Sequence, residues 1–195
     1  MTKNIQIKNT IKSFKYLMEA NEINEYLAYA TSAMRNASNG QEILDFIFRE
    51  TKIKIEIISG KKESEIVASN DITEHIGNSP NYCFIDVGGG STEVIIYKNN
   101  KLHKSKSFKI GTVRELIGRN SKSIWSELKS WILSEFKGFG DGSVAVIGSG
   151  GNINKVHKMS GNKLNEPLTL EYLNSIHKKM SFIGYEDRIT SFELN

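Results

Sequence analysis

Residues 86–93 read Asp-Val-Gly-Gly-Gly-Ser-Thr-Glu, three successive glycines followed by two hydroxyl residues. Lacking Cβ atoms, Gly88, Gly89 and Gly90 let backbone N–H groups turn toward an oxyanion and approach it closely, and Ser91 and Thr92 add hydroxyl donors. Such a run suits the holding of a phosphate. It differs from the Walker and dinucleotide patterns, because no lysine follows the glycines and the next segment has strand character. An ordinary glycine-rich hairpin is the structural alternative, and Asp86 and Glu93 at the two ends weigh against it.

Three further stretches could join that chemistry. Ile147-Gly148-Ser149-Gly150-Gly151-Asn152 lies between an apolar run and a helical pattern. This puts a helix N-terminus, with its free N–H groups, where Gly150 and Gly151 could receive a phosphate. Tight strand-to-helix packing explains the same glycines without a ligand. Ala30-Thr31-Ser32-Ala33-Met34-Arg35 closes another apolar run, and ligands of open α/β sheets gather beyond the carboxyl ends of strands. Arg35 is thus a candidate bidentate phosphate clamp, or else a surface helix arginine. Ser59-Gly60-Lys61-Lys62-Glu63 again marks a strand passing into a helix. There Glu63 could orient water for in-line attack on a phosphoryl group, with Glu93 as a second carboxylate, or simply favour the first turn of a helix. Lys98, Lys101, Lys104, Lys106 and Lys109 could form a strip for an anionic polymer or a solvated strand face. The four histidines show no ligand spacing, so no metal is assigned to them.

Periodicity supplies the elements that must position these residues. Ile7, Ile11, Phe14, Leu17 and Met18 recur at helical spacing, with lysines at 8, 12 and 15 on the other face. Tyr26–Ala30 is apolar on both faces, as a buried strand should be. A helix over Gln41–Glu50 and an alternating strand over Ile53–Ile58 follow, then a short helix over Lys61–Ser69. The polar loop Asn70–Asn81 is the natural boundary, dividing the chain into residues 1–75 and 76–195. Beyond it lie strands at Tyr82–Val87, Glu93–Lys98 and Lys101–Lys109, the last two joined by a tight turn at Asn99-Asn100. Helical periodicity over 112–136, broken near Asn120, precedes a buried strand over Ser143–Ile147 and helices around Asn152–Met159 and Thr169–Met180. The tail after Ser181 carries little pattern. Three strands, then helix, strand and helix, is the order of a ribonuclease-H-like α/β unit lacking its last strand. The first part reads as the closing portion of a similar unit. The predicted fold class is therefore α/β, with mixed sheets flanked by helices and both halves incomplete.

Composition agrees with a folded chain. The 195 residues are 38% hydrophobic and 25% charged, with two prolines, which excludes disordered and collagenous classes. One domain commonly takes about 100–200 residues, so one full domain or two partial ones are allowed. The 26 Lys and Arg against 22 Asp and Glu give a net charge of +4, a bias that favours anionic ligands. The lone Cys83 excludes an internal disulfide framework and reads as a small buried strand residue. No apolar window approaches the roughly 20 residues that span a bilayer, and the polar N-terminus lacks a secretory pattern. The expected location is the cytoplasm, with neither DNA nor a membrane as partner.

With these motifs in order, the chain resembles the exopolyphosphatase and guanosine-pentaphosphate phosphohydrolase (Ppx/GppA) family of the actin-like ATPase superfamily. The likeness rests on Ala-Thr-Ser-Ala-Met-Arg at 30–35 with Asn39, Ser-Gly-Lys-Lys-Glu at 59–63, the run at 86–93, Ile-Gly-Thr-Val-Arg at 110–114 and Gly-Ser-Gly-Gly at 148–151. It implies two ribonuclease-H-like domains around a cleft that removes terminal phosphate from inorganic polyphosphate or guanosine pentaphosphate with the help of magnesium. Glu63 matches the catalytic base of the family and Glu93 the second glutamate that helps hold the attacking water. Gly88–Thr92 matches a phosphate loop, Asp86 the acidic residue linked with the metal, and Arg35 an active-site arginine.

Three departures accompany the resemblance. The family's first phosphate loop has no counterpart in the sequence, Lys62 stands where a second acidic residue is common, and the chain stops near the last strand of the second domain. The implied picture is an internal segment, weak or inactive by itself, with exposed sheet edges that invite a homodimer. A non-catalytic phosphate- or nucleotide-binding module of the same fold is the alternative. A sugar or acetate kinase relative is a third reading, and it would need an acceptor site.

Overall fold

The structure, a computed structural model, describes residues 3–69, 79–118, 122–139, 144–164 and 166–192. Among the described residues there are two sheets. In the first, β1 (Tyr29–Ala30) pairs in parallel with β2 (Glu56–Ile57). The same stretch of chain carries α1 (Lys3–Ala20), α2 (Ser32–Asn36), α3 (Gly40–Thr51) and α4 (Gly60–Ala68). The second sheet has the order β5-β4-β3-β6. Its members are β3 (Tyr82–Val87), β4 (Thr92–Lys98), β5 (Lys101–Phe108) and β6 (Ala145–Ser149). The first three form an antiparallel meander, and β6 joins β3 in parallel. The remaining helices are α5 (Thr112–Leu116), α6 (Lys122–Phe136), α7 (Gly151–Ser160), α8 (Leu170–Ser181) and α9 (Tyr185–Phe192).

The second sheet is covered on both faces. On one, Cys83, Val94, Ile96, Phe108 and Ile110 pack with Ile124, Leu128, Trp131 and Ile132 of α6. On the other, Tyr82, Ile95 and Tyr97 pack with Val67 and Ala68 of α4, and Tyr97 donates a hydrogen bond to the Ala68 carbonyl at 2.6 Å. Two-sided burial explains why Val94, Ile95 and Ile96 form an unbroken apolar run. The β4–β5 turn forms at Asn99 and Asn100 because both adopt the left-handed conformation, with φ of 51° and 59°, as a two-residue hairpin of this twist requires. Between Ile96 and Tyr97 the ladder shifts register by one residue.

Several boundaries differ from the sequence reading. Of the expected strand Tyr26–Ala30 only Tyr29–Ala30 enters a ladder, and Leu27 is 82% exposed. Among the described residues β1 pairs only with β2, and the Tyr26 hydroxyl is occupied in accepting a bond from Lys54 N–H. The run therefore is not enclosed. The strand expected over Ile53–Ile58 contributes Glu56–Ile57 to the ladder, although Ile53 and Ile58 are buried. On α1, Ile7, Ile11 and Met18 are half-buried while Phe14 and Leu17 stay exposed, and among the described residues the helix packs mainly on α3. The last strand lies at 145–149, two residues later than expected. Asn120 and Ser143, and residues 70–78 of the expected loop, lie outside the described residues. The patternless tail contains α9, anchored by buried Phe192.

Candidate phosphate-binding and catalytic site

The residues singled out above converge where α2 and α4 meet the carboxyl end of β3 and the start of β4. Ser59 caps α4, its hydroxyl accepting from Lys62 N–H at 3.2 Å, and this sets Glu63 in the first helical turn. Both terminal nitrogens of Arg35 donate to Glu63 Oε2 at 3.1 Å, and Nη1 also donates to the Ile58 carbonyl at 2.6 Å. Arg35 is thus tied to the end of the β2 segment and to Glu63 at once.

Glu93 stands across the β4–β5 ladder from Ser107, which donates to Glu93 Oε1 at 2.7 Å. The carboxyl belongs to a residue only 2% exposed. Burial pushes its pKa above the ordinary value. Hydrogen bonds from Ser107 and Ser91 lower it in part, and the negative charges of Glu63 and Asp86 raise it further. Asp86 is the register partner of Glu93 on β3. Three carboxylates therefore share one electrostatic neighbourhood.

The glycine run forms the turn between β3 and β4, closed by the Gly88 N–H donating to the Ser91 carbonyl at 2.9 Å. It touches the first half of the chain directly: a Cβ on Gly90 would collide with the Ser32 hydroxyl and lie 2.8 Å from Ser32 Cβ. Likewise a Cβ on Gly60 would sit 2.8 Å from Ser107. Between these contacts opens a cleft of about 500 Å3 lined by Ser32, Arg35, Asn36, Ser59, Gly60, Lys61, Gly90, Ser91, Ser105, Lys106, Ser107 and Lys109. Gly150 lies against the end of β3. It adopts φ of +112°, and a Cβ there would meet the Val87 carbonyl at 2.5 Å, so only glycine lets β6 turn into α7 beside the loop.

The chain as a whole is similar to known proteins. The model of the Ppx/GppA phosphatase family matches residues 3–121. The chain belongs to that family. It is similar to a bifunctional 3-dehydroquinate synthase/phosphatase of Fusobacterium nucleatum, 32% identical over 155 residues, which covers 72% of this chain and 23% of that protein. It is also similar to exopolyphosphatase 1 of Mycobacterium leprae, 27% identical over 154 residues, covering 74% of this chain and 43% of that protein. The chain thus spans less than half the length of these curated relatives. Its fold is that of the Aquifex aeolicus Ppx/GppA family member, with a TM-score of 0.69 at 22% identity over 97% of this chain and 66% of that one. An exopolyphosphatase from Cytophaga hutchinsonii gives 0.70 at 22% identity, covering 97% and 68%.

Within this Ppx/GppA chain the candidate residues have different placements. Arg35 and Glu63 are bonded, and Gly88, Gly89, Gly90 and Ser91 form the turn beside Glu93. Thr92 departs from its expected hydroxyl role: the group donates to the Ile110 carbonyl at 2.9 Å inside the core, pinning β4 to the end of β5. Gly151 is exposed at the start of α7. The lysine strip is split by the register shift. Lys98 donates to the Gly138 carbonyl at 2.7 Å and Lys106 pairs with Glu127 at 2.8 Å, while Lys106 and Lys109 also border the cleft. Ser107 and Ser32 are the residues that sequence reasoning missed. Ser107 belongs to no recognisable motif and only strand register reveals it, whereas Ser32 lies within the motif at 30–35 but only close packing shows that it meets Gly90. Among the described residues no group of three or more His, Cys, Asp or Glu side chains gathers as a metal cage.

Proposed function

We propose that this chain carries the catalytic region of an exopolyphosphatase-type phosphohydrolase, which removes the terminal phosphate of inorganic polyphosphate or guanosine pentaphosphate. The observation that carries the reading is Glu93, a buried carboxylate of raised pKa between a phosphate-loop turn and the Arg35–Glu63 pair. Phosphoryl transfer asks mainly for positioning and charge neutralisation. The Gly88–Thr92 loop holds the terminal phosphate through the backbone N–H groups of Gly89, Gly90 and Ser91, that of Gly88 being spent on the Ser91 carbonyl, and Gly150 and Gly151 flank it. Arg35 steadies phosphate oxygens with the donors that Glu63 leaves free. Glu63 and Glu93 orient the attacking water. A carboxylate of raised pKa takes up a proton more readily, which suits Glu93 to receive one from that water. In this reading residues 1–75 and 76–195 belong to two ribonuclease-H-like units that face each other across the cleft.

Magnesium fits the donors present. It favours hard oxygen ligands and is commonly bound by one or two carboxylates together with substrate phosphates and water, and Asp86 beside Glu93 offers that set. When bound it would neutralise charge on the phosphate chain.

Turnover by this chain alone is expected to be weak, because its sequence holds one of the two phosphate loops that the family resemblance implies. The test is magnesium-dependent phosphate release from long-chain polyphosphate and from guanosine pentaphosphate, with calorimetry of tripolyphosphate binding alongside. Release that Glu63→Gln or Glu93→Gln abolishes, with binding retained, supports the reading. Release indifferent to both substitutions overturns the assigned roles, and a failure to bind tripolyphosphate overturns the phosphate site itself.

A further inference from the structure

Three backbone carbonyls of the glycine turn are all gripped from one side. Thr112 N–H donates to the Gly88 carbonyl at 3.1 Å, and Val113 and Arg114 N–H donate to the Gly89 carbonyl at 2.9 and 3.2 Å. The Arg114 side chain completes the set, its Nε–H donating to the Gly90 carbonyl at 2.5 Å. In a planar trans peptide, the C=O of one residue and the N–H of the next point in opposite directions. Carbonyls of Gly88, Gly89 and Gly90 fixed toward α5 therefore force the N–H groups of Gly89, Gly90 and Ser91 toward the opposite side. Gly90 and Ser91 line the cleft. The approach is close enough to require Gly111: a Cβ there would collide with the Gly89 carbonyl oxygen and lie 2.6 Å from Gly90 N.

We infer that Gly111–Arg114 is a clamp that holds the glycine turn in its anion-accepting orientation, with Arg114 as a positioning residue acting through the Gly90 carbonyl. The N–H groups of the first turn of α5 are not themselves an anion site, because they are spent on the loop's carbonyls. The free loop would otherwise have to lose backbone freedom on meeting a phosphate chain, and the clamp removes that entropy in advance. This inference rests on the phosphate-site reading above.

Two variants test it. Arg114→Met removes the side-chain donor and keeps a stem of similar length, and Gly111→Ala lifts α5 off the loop without altering any charge. The first measurement is amide hydrogen exchange at Thr112 and Val113 in the ligand-free chain. The second is calorimetry with tripolyphosphate. The clamp predicts faster exchange confined to residues 112–114 in both variants, an unfolding midpoint for Arg114→Met close to that of the parent, and affinity lowered on the order of ten- to a hundredfold, the range for a hydrogen bond made by a charged group. Exchange unchanged in Arg114→Met overturns the clamp. So does faster exchange with undiminished tripolyphosphate affinity, or a rise in exchange spread over the whole second sheet, which would mark a general packing role. A parent chain that binds no tripolyphosphate would refute the phosphate site, and the exchange measurement would still decide whether α5 fixes the loop.

Discussion

Substituting Gly90 with alanine isolates the contact between the glycine turn and the first half of the chain. Gly90 does not occupy the left-handed region, so alanine can adopt its backbone angles and the penalty is steric. The new Cβ would stand 2.8 Å from Ser32 Cβ, where ordinary contact begins at 3.4 Å, so the two segments must part by about 0.6 Å. Rotating the Ser32 hydroxyl relieves only part of the clash, because the Cβ–Cβ approach remains. Ser32 is itself buried, its hydroxyl accepting from Asn36 Nδ2 at 3.2 Å. Inserting a methyl group into such packing costs about 1–3 kcal/mol. For a chain of this size that lowers Tm by about 2–4 °C per kcal/mol. The assay is a double-mutant cycle with Ser32→Gly, followed by urea unfolding. Removing Ser32 Cβ opens the space, so the pair should recover about 1 kcal/mol or more relative to the sum of the single changes. Strictly additive costs, or a Gly90→Ala chain as stable as the parent, would refute the claim that the turn is wedged against α2.

Two further outcomes follow from buried titratable groups. Because the folded state raises the Glu93 pKa, it favours the neutral carboxyl; that preference adds stability below the ordinary carboxylate range and is lost as pH rises through the elevated value. Glu93→Gln should therefore stabilise the chain at neutral pH and lose its advantage in acid, as read from urea midpoints across pH; an advantage independent of pH would contradict the burial argument. Cys83 is buried with its thiol pKa pushed up to about 11, so thiol reagents should label it only as fast as the second sheet opens, a rate that mass spectrometry in increasing urea measures.

What sequence made legible depended on how local the cause was. The strand Tyr82–Val87 lies where its composition places it, and the turn at Asn99-Asn100 follows from two residues that tolerate positive φ. The tight turn at Asn99-Asn100, counted outward, would set Lys106 opposite Glu93. The extra residue at the Ile96/Tyr97 bulge shifts the ladder and puts Ser107 there instead. No periodicity reports a single inserted residue, so the hydroxyl bonded to Glu93 was hidden. Tyr26–Ala30 failed for the opposite reason: an apolar run becomes a buried strand only if neighbours exist on its edges, and β1 has only β2 among the described residues. Arg35 and Glu63 were visible as candidates because each follows a strand end, but their shared bond spans 28 residues and needed the fold.

The seat of α4 limits how this protein can be taken apart. Gly60–Ala68 follows β2 in the chain, yet its apolar face lies on β4 and β5, and Glu63 on the same helix is bonded to Arg35 of α2. A cut anywhere between residues 69 and 79 would separate the sequence without separating the packing: the leading piece would carry off the lid of Ile95 and Tyr97, and the trailing piece would keep its socket. The two stretches of chain are thus interlocked rather than adjoining, and recombination between relatives at this apparently polar junction would have to exchange α4 together with the sheet it covers.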